Sequence, residues 1–442
     1  MTQDRKFDVI GSTATNVVDG FKMVAVGDLM IRRPITKDQR SGFGDVAEIL
    51  QSADATFGNL ETNIFDIRAF KGSPQAEHGG SYHAGPPELG PDLKTMGFHL
   101  LSLATNHTFD WGLEGMRETG RVLDETGIVY AGVGENLAQA GAARYVETTR
   151  GRVALVSFAA TFTPMSRACD PAGEAPGRPG LAALRLKNSI VVPPEMLESL
   201  RRISNALQTD LPRENDQVVI AGLTFKTGEK VGYSFEADPR DINDILRNVR
   251  QGKQFADFLI VSNHGHEPGN WSQEPPDYEQ SLAHRLIDAG ADAYVGHGPH
   301  QLRGIEIYRG RPIFYSLGNF IFDNLQMVEG ADYFAEHGKD PRVDTVADLL
   351  VEAMKVFPGT VFYESIVTVS RFEQNQLAEL RLFPVELGYS ERLANRGVPR
   401  LAPKPEAEAI LERLQRLSKP FGTHITIENG VGIIRVISSS PR

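Results

Sequence analysis

The sequence predicts an α/β protein, and three observations carry that prediction. Apolar runs of strand length recur along the chain, helical segments lie between several of them, and residues able to bind metal stand just past the runs' C-terminal ends. In open α/β sheets that edge is where ligands bind. The pattern therefore points to one composite site on an α/β scaffold.

Composition supports a soluble globule. The 442 residues are 41% hydrophobic and 23% charged, enough for a sizeable core and unlike disordered, collagen-like or coiled-coil chains. With 46 Lys+Arg against 57 Asp+Glu the formal charge is −11, which opposes non-specific nucleic-acid binding because that needs a basic field. The single cysteine, Cys169, cannot close an internal disulfide. Residues 1–20 lack the apolar stretch of about 7–15 residues that a secretory signal needs. No segment reaches the roughly 18 apolar residues of a membrane span. The expectation is a cytoplasmic protein with no membrane anchor.

In chain order, 21–27 (FKMVAVG) reads as a strand with Asp28 at its edge, 53–58 as a second closing in Asn59, Leu60 and Glu61, and 98–104 as a third leading into Thr105, Asn106 and His107. Leu113, Met116, Val122 and Leu123 share a helical face over 112–126. A strand follows at 128–131. Later runs at 258–262 and 291–296 end at Asn263-His264 and His297, and Phe314, Tyr315 and Leu317 are assigned to a strand ending at Gly318-Asn319. Strands at 365–371, 380–385 and 430–436 and a helix over 406–417 complete the C-terminal part. Two stretches read as insertions: 163–217, Pro/Gly/Arg-rich at first and helical around 195–207, and 323–359, partly helical and placed to cover the site. With no repeat or linker, 21–442 reads as a single elaborated domain behind an N-terminal extension, 1–20.

Catalytic divalent metals are held by imidazole nitrogen and carboxylate oxygen with a position left open. The candidates at strand ends are Asp28, Glu61, Asn106, His107, His264, His266, Glu267, His297 and His300. A lone Asp after Gly is ordinarily a turn residue, and the same reading covers Glu61 alone. The paired imidazoles, His264 with His266 and His297 with His300, weigh more, since clustered buried imidazoles are costly unless satisfied. His99 and His284 sit in apolar patterns and read as core or surface groups, while His78, His337 and His424 read as solvated. Gly132 and Gly134 do not complete a dinucleotide fingerprint.

Gly27-Asp28, Gly58-Asn59-Leu60-Glu61, Asn106-His107 with Asp110, His264 with Glu267, and Gly296-His297-Gly298-Pro299-His300 occur in that order, followed by Gly304-Ile305-Glu306 and Tyr315-Ser316-Leu317-Gly318-Asn319-Phe320. In this the chain resembles the CapA family of capsule and poly-γ-glutamate synthesis proteins, within the calcineurin-like metallophosphoesterase superfamily. The resemblance implies a four-layer α/β/β/α sandwich with insertions and a site for one or two divalent ions (Mn, Zn, Fe or Co). It implies that Asp28 binds the first metal, Glu61 bridges, Asn106, His264 and His297 bind the second, and His300 completes the first. It makes His107 the catalytic histidine, with Asp110 orienting its ring. The chain departs from the wider superfamily in having Met30 two positions after Asp28 where a His is usual, two residues between His297 and His300, and Glu61 where most have Asp. His266 could supply the missing nitrogen, with Glu267 and Asn59 as further ligands or supports.

Substrate recognition falls to Tyr82 and His83, in the Gly/Pro-rich loop ahead of the third strand, and to Arg178 and Arg303, because arginine grips carboxylate or phosphate as a fork. Arg185 reads equally as a solvated charge. The function these readings imply is a metal-dependent hydrolase using a metal-activated hydroxide on an anionic small molecule or peptide, through a phosphoester or γ-glutamyl-type amide bond. The alternative is a non-catalytic component that binds or assembles capsule polymer.

Overall fold

The computed structural model describes residues 13–38, 42–75, 82–207, 216–323 and 330–436; His78 lies outside them. Strands β1 (Phe21–Met30), β2 (Ala55–Leu60), β3 (Leu100–Ser102) and β4 (Val129–Ala131) pair in parallel, with helices α1 (Gly44–Gln51), α2 (Leu89–Met96) and α3 (Gly112–Thr126) between them in sequence. After the short α4 (Leu137–Gly141), the hairpin β5 (Arg144–Thr148) and β6 (Gly151–Ala159) opens a second sheet. A separate four-stranded sheet then forms from β7 (Leu186–Val192), β8 (Gln217–Ile220), β9 (Leu223–Thr227) and β10 (Gly232–Ala237), with α5 (Pro194–Ala206) between β7 and β8.

Helix α6 (Pro239–Gln254) returns the chain to the second sheet through β11 (Phe258–His264), α7 (Glu279–Asp288), β12 (Ala293–His297), β13 (Ile305–Tyr308) and β14 (Arg311–Phe314). Its order is β13-β14-β12-β11-β6-β5. The remaining strands β15 (Asn319–Phe322), β16 (Glu364–Glu373), β17 (Gln376–Glu386), β18 (Thr426–Glu428) and β19 (Val431–Arg435) join the first sheet. With the short Arg400–Leu401 strand it has ten strands, along β18-β19-β17-β16-β1-β2-β3-β4. Helices α8 (Ala331–Glu336) and α9 (Val346–Ala353) lie between β15 and β16, and α10 (Lys404–Ser418) precedes β18.

The two large sheets pack face to face because their strands are apolar on both sides. Alternation sends Met23, Ala25 and Phe57 inward against Leu155, Phe258, Ile260 and Val295 of the second sheet, while Val24, Val26 and Leu29 face outward to α1, α2 and α3. On the far side Val156, Leu259, Val261 and Tyr294 meet Ile242, Leu246 and Val249 of α6 and Leu282 and Leu286 of α7. Fully burying one such side chain contributes about 1.5–3 kcal/mol against about 1 kcal/mol net for a hydrogen bond, so packing holds the layers together. The result is the expected four-layer α/β/β/α sandwich. Among the described residues no helix is long and apolar enough to cross a membrane.

Two expectations need correction. The strand assigned to Phe314, Tyr315 and Leu317 stops at Phe314, and the chain then crosses to the other sheet, where Asn319 opens β15 beside β1. The break placed at 217 falls inside the separate sheet, which closes only at Ala237 because β10 pairs with β7.

Candidate metal centre

The site lies where the C-terminal ends of β1, β2, β11 and β12 meet across the two sheets. β1 changes neighbours there. Its first half pairs antiparallel with β16, and from Asp28 onward it pairs in parallel with β15. The crossing segment passes so close that a Cβ on Gly27 would sit 1.8 Å from the Gly318 carbonyl oxygen, and Asp28 N–H donates to that same oxygen at 3.0 Å. Only glycine fits at 27. The register shift between Ala25 and Asp28 turns the carboxylate into the gap between the sheets.

Asp28 is buried, with Oδ1 3.3 Å from His297 Nδ1 and accepting from Asn59 Nδ2 at 2.9 Å. Oδ2 accepts from Gly298 N–H at 3.2 Å. Gly298 takes φ +112, and a Cβ there would lie 2.7 Å from the Gly265 carbonyl oxygen, so glycine lets the two histidine loops touch. Asn59 Nδ2 also lies 3.1 Å from His264 Nδ1. Asn59 thus joins Asp28 to His264. His264 and His297 are register partners at the ends of β11 and β12. His264 Nε2 lies 2.8 Å from Asn106 Oδ1 and 3.1 Å from His266 Nε2. Donor atoms of Asp28, Glu61 and His264 all lie within 4.8 Å of one another.

His300 holds a left-handed backbone at φ +58. Its Nδ1 lies 2.9 Å from Asn319 Oδ1, and Asn319 Nδ2 donates to the Phe362 carbonyl at 2.9 Å. Phe357, from the second predicted insertion, stands edge-on to this imidazole at 5.1 Å. His107 Nδ1 lies 2.7 Å from Asp110 Oδ2, and its Nε2 faces Glu61 Oε2 at 3.8 Å. Its turn is held by His107 N–H donating to Thr105 Oγ1 and by Asn63 Nδ2 donating to the His107 carbonyl.

The electrostatics suit a cation. Burial pushes the Asp28 carboxyl up, but His297, His264 and His300 outweigh it and hold the group well below the usual carboxylate range. Glu61 is pushed well above its usual range by burial, then by the negative charges of Asp28 and Asp110. Burial, reinforced by His266, lowers His264 well below the ordinary histidine value, and burial also lowers His300 against the pull of Asp28. Metal-ligating imidazole must be neutral. Both oxygens of Glu61 and both ring nitrogens of His297 are buried without a hydrogen-bond partner among the described residues. Buried polar atoms are nearly always partnered, and a divalent cation satisfies carboxylate oxygen and imidazole nitrogen together. The residues present therefore fit such an ion.

The structure brings Asp28, Glu61, Asn106, His264, His297 and His300 to one place, with His107, Asp110, His266 and Asn59 against them. Glu267 Oε1 accepts at 3.0 Å from Thr161 Oγ1, the hydroxyl that also receives His266 N–H. His83 packs edge-on to His107 at 4.2 Å, and its backbone N–H donates to Asp110 Oδ2. Tyr82 instead lies in an aromatic cluster with Phe65 and Trp111 and donates to Asp332 at 2.7 Å.

Two arginine expectations are corrected. Arg303 is buried, donating to the Glu267 and Ser272 carbonyls at 2.7 and 3.3 Å and facing Glu279 at 3.7 Å, so it braces a loop and is not at the rim. Arg178 is exposed and donates to the Arg167 carbonyl at 2.9 Å, and none of its contacts reaches the cluster. Arg185 forks onto Asp241 at 2.6 and 2.8 Å and anchors α6. Sequence reasoning gave no role to Asn319, although its motif was visible, nor to Arg32, a buried guanidinium 3.3 Å from His83 Nδ1. It missed Asn270 and Thr161 behind the histidine loop, for which the sequence carries no signal.

The chain is 63% identical over 446 residues to the uncharacterized protein y4sH of Sinorhizobium fredii, covering 98% of this chain and 97% of that one. It is 28% identical to the capsule biosynthesis protein CapA of Bacillus anthracis, over 68% of this chain and 59% of that protein. It also resembles the solved structure of a phosphatase from Mycoplasma pneumoniae, at 11% identity and a TM-score of 0.33 over 90% of this chain and 97% of that one. The model of the bacterial capsule synthesis protein family PGA_cap matches residues 22–324, and the chain belongs to that family.

Proposed function

We propose that the chain is a metal-dependent hydrolase acting on an anionic small molecule or peptide, through a phosphoester or a γ-glutamyl-type amide. The observation that supports this reading is that donor atoms of Asp28, Glu61 and His264 lie within 4.8 Å of one another, with His297 3.3 Å from Asp28 and Asn106 2.8 Å from His264, while the Glu61 oxygens and His297 nitrogens have no hydrogen-bond partner among the described residues. Asp28, Glu61, Asn106, His264, His297 and His300 would hold one or two divalent ions. Such an ion supplies Lewis-acid polarisation of the substrate and activation of water at neutral pH.

The chain's own residues do the rest. Asp110 accepts from His107 Nδ1 and fixes the ring, so that Nε2 faces Glu61 and the cluster. From there protonated His107 stabilises negative charge on the reacting centre and delivers a proton to the leaving group. His83 packs against His107 and limits how far its ring can swing. Thr105 and Asn63 hold the turn beneath it.

Metal analysis of the purified chain, with turnover of an aryl phosphate and a γ-glutamyl anilide, tests the proposal. The expected outcome is bound divalent metal and hydrolysis of at least one probe, abolished by chelation. A metal-replete chain that hydrolyses neither probe but retains poly-γ-glutamate would favour polymer assembly instead.

A further inference from the structure

The loop leaving β11 carries a second imidazole, His266, set so that one nitrogen is occupied and the other is presented to the cluster. His266 is half-buried, and its Nδ1 lies 2.7 Å from Asn270 Oδ1. An amide oxygen accepts, so Nδ1 carries the proton and Nε2 keeps its lone pair. That Nε2 lies 3.1 Å from His264 Nε2, which is itself 2.8 Å from Asn106 Oδ1. Donors bound to one cation at about 2.0–2.2 Å stand roughly 2.8–3.6 Å apart, and these separations are of that size.

The loop is braced for this presentation. His266 N–H donates to Thr161 Oγ1 at 2.9 Å, and that hydroxyl donates to Glu267 Oε1. Gln301 Nε2 donates to the Asn270 carbonyl, and Arg303 donates to the Glu267 and Ser272 carbonyls. The segment that follows His300 thus clamps both ends of the His266 turn.

We propose that His266 Nε2 is a further nitrogen ligand of the metal centre, with Asn270 as the positioning residue that fixes its tautomer. The inference rests on the metal-centre reading above. An added imidazole favours borderline cations such as Zn, Fe or Co over Mg, which prefers oxygen.

Titration of the chelator-treated chain with cobalt(II), followed by calorimetry and the visible absorption of the bound ion, tests it in the wild type and in His266→Ala, His266→Gln and Asn270→Ala. Circular dichroism of each cation-free variant serves as the control for folding. Expected is a 10- to 100-fold weaker site in Asn270→Ala, about the size of other outer-support losses, and at least as large a loss in both His266 variants, with a changed absorption band. Wild-type affinity and spectrum in the folded His266 variants would overturn this inference alone. No cobalt binding by the wild type would overturn the metal-centre reading beneath it.

Discussion

His107 gathers three separate constraints on one ring. Asp110 holds Nδ1, His83 covers one side, and Nε2 is directed at Glu61. Its place outside the six donors predicts a clean separation of chemistry from metal binding. His107→Ala should lower turnover by about 10²–10⁴-fold, the range for losing a general acid, while metal content per chain stays unchanged. Equal turnover in that variant would remove the role assigned to this ring. At this scale the donors were readable because Asp, Asn and His at strand ends after glycine are chemically distinctive. Arg303 was not, since a sequence does not say whether a guanidinium faces solvent or folds inward onto carbonyls.

The element that makes the centre possible is the crossing of 315–318 over β1. Gly27 and Gly318 meet there without side chains, and the crossing moves β15 into the sheet that holds Asp28. Gly27→Ala would drive a methyl into the Gly318 carbonyl. It should destabilise the chain by at least the roughly 1–3 kcal/mol usual for overpacking, seen as a lower urea midpoint with unchanged slope. An unchanged midpoint would mean the crossing is looser than its geometry. The alternation Tyr315-Ser316-Leu317-Gly318 looks like a strand in sequence, yet its backbone serves the crossing: Arg303 N–H donates to the Ser316 carbonyl and Tyr315 N–H to the Gly304 carbonyl. Helix α3, by contrast, matches its expected span of 112–126, because its apolar stripe and terminal Gly127 are local signals.

Across the whole molecule, the candidate centre lies between two sheets that belong to different stretches of chain, so under the proposed reading a bound cation would tie the layers together. A ligand bound only by the folded state stabilises it by RT ln(1 + [L]/Kd), about 4 kcal/mol at a thousandfold excess over Kd. Chelation should therefore lower the melting temperature by several degrees and restored Mn or Zn should reverse it, measured by scanning calorimetry. A melting temperature indifferent to chelation would mean that the two sheets are not joined through an ion.

The sequence by itself determined the α/β class, the helix over 112–126 and the family, and it singled out Asp28, Glu61, Asn106, His264, His297 and His300 as the candidate donors. Each of these rests on local periodicity, local turn chemistry or residue type in order along the chain. Only the tertiary structure decided that β1 exchanges β16 for β15 at Asp28, that Arg303 is an internal brace while Arg178 stays in solvent, and that Asn270 and Thr161 hold His266 toward the cluster. Those features depend on contacts between residues far apart in the chain, and pairing and packing at a distance leave no periodic trace in the segments that make them.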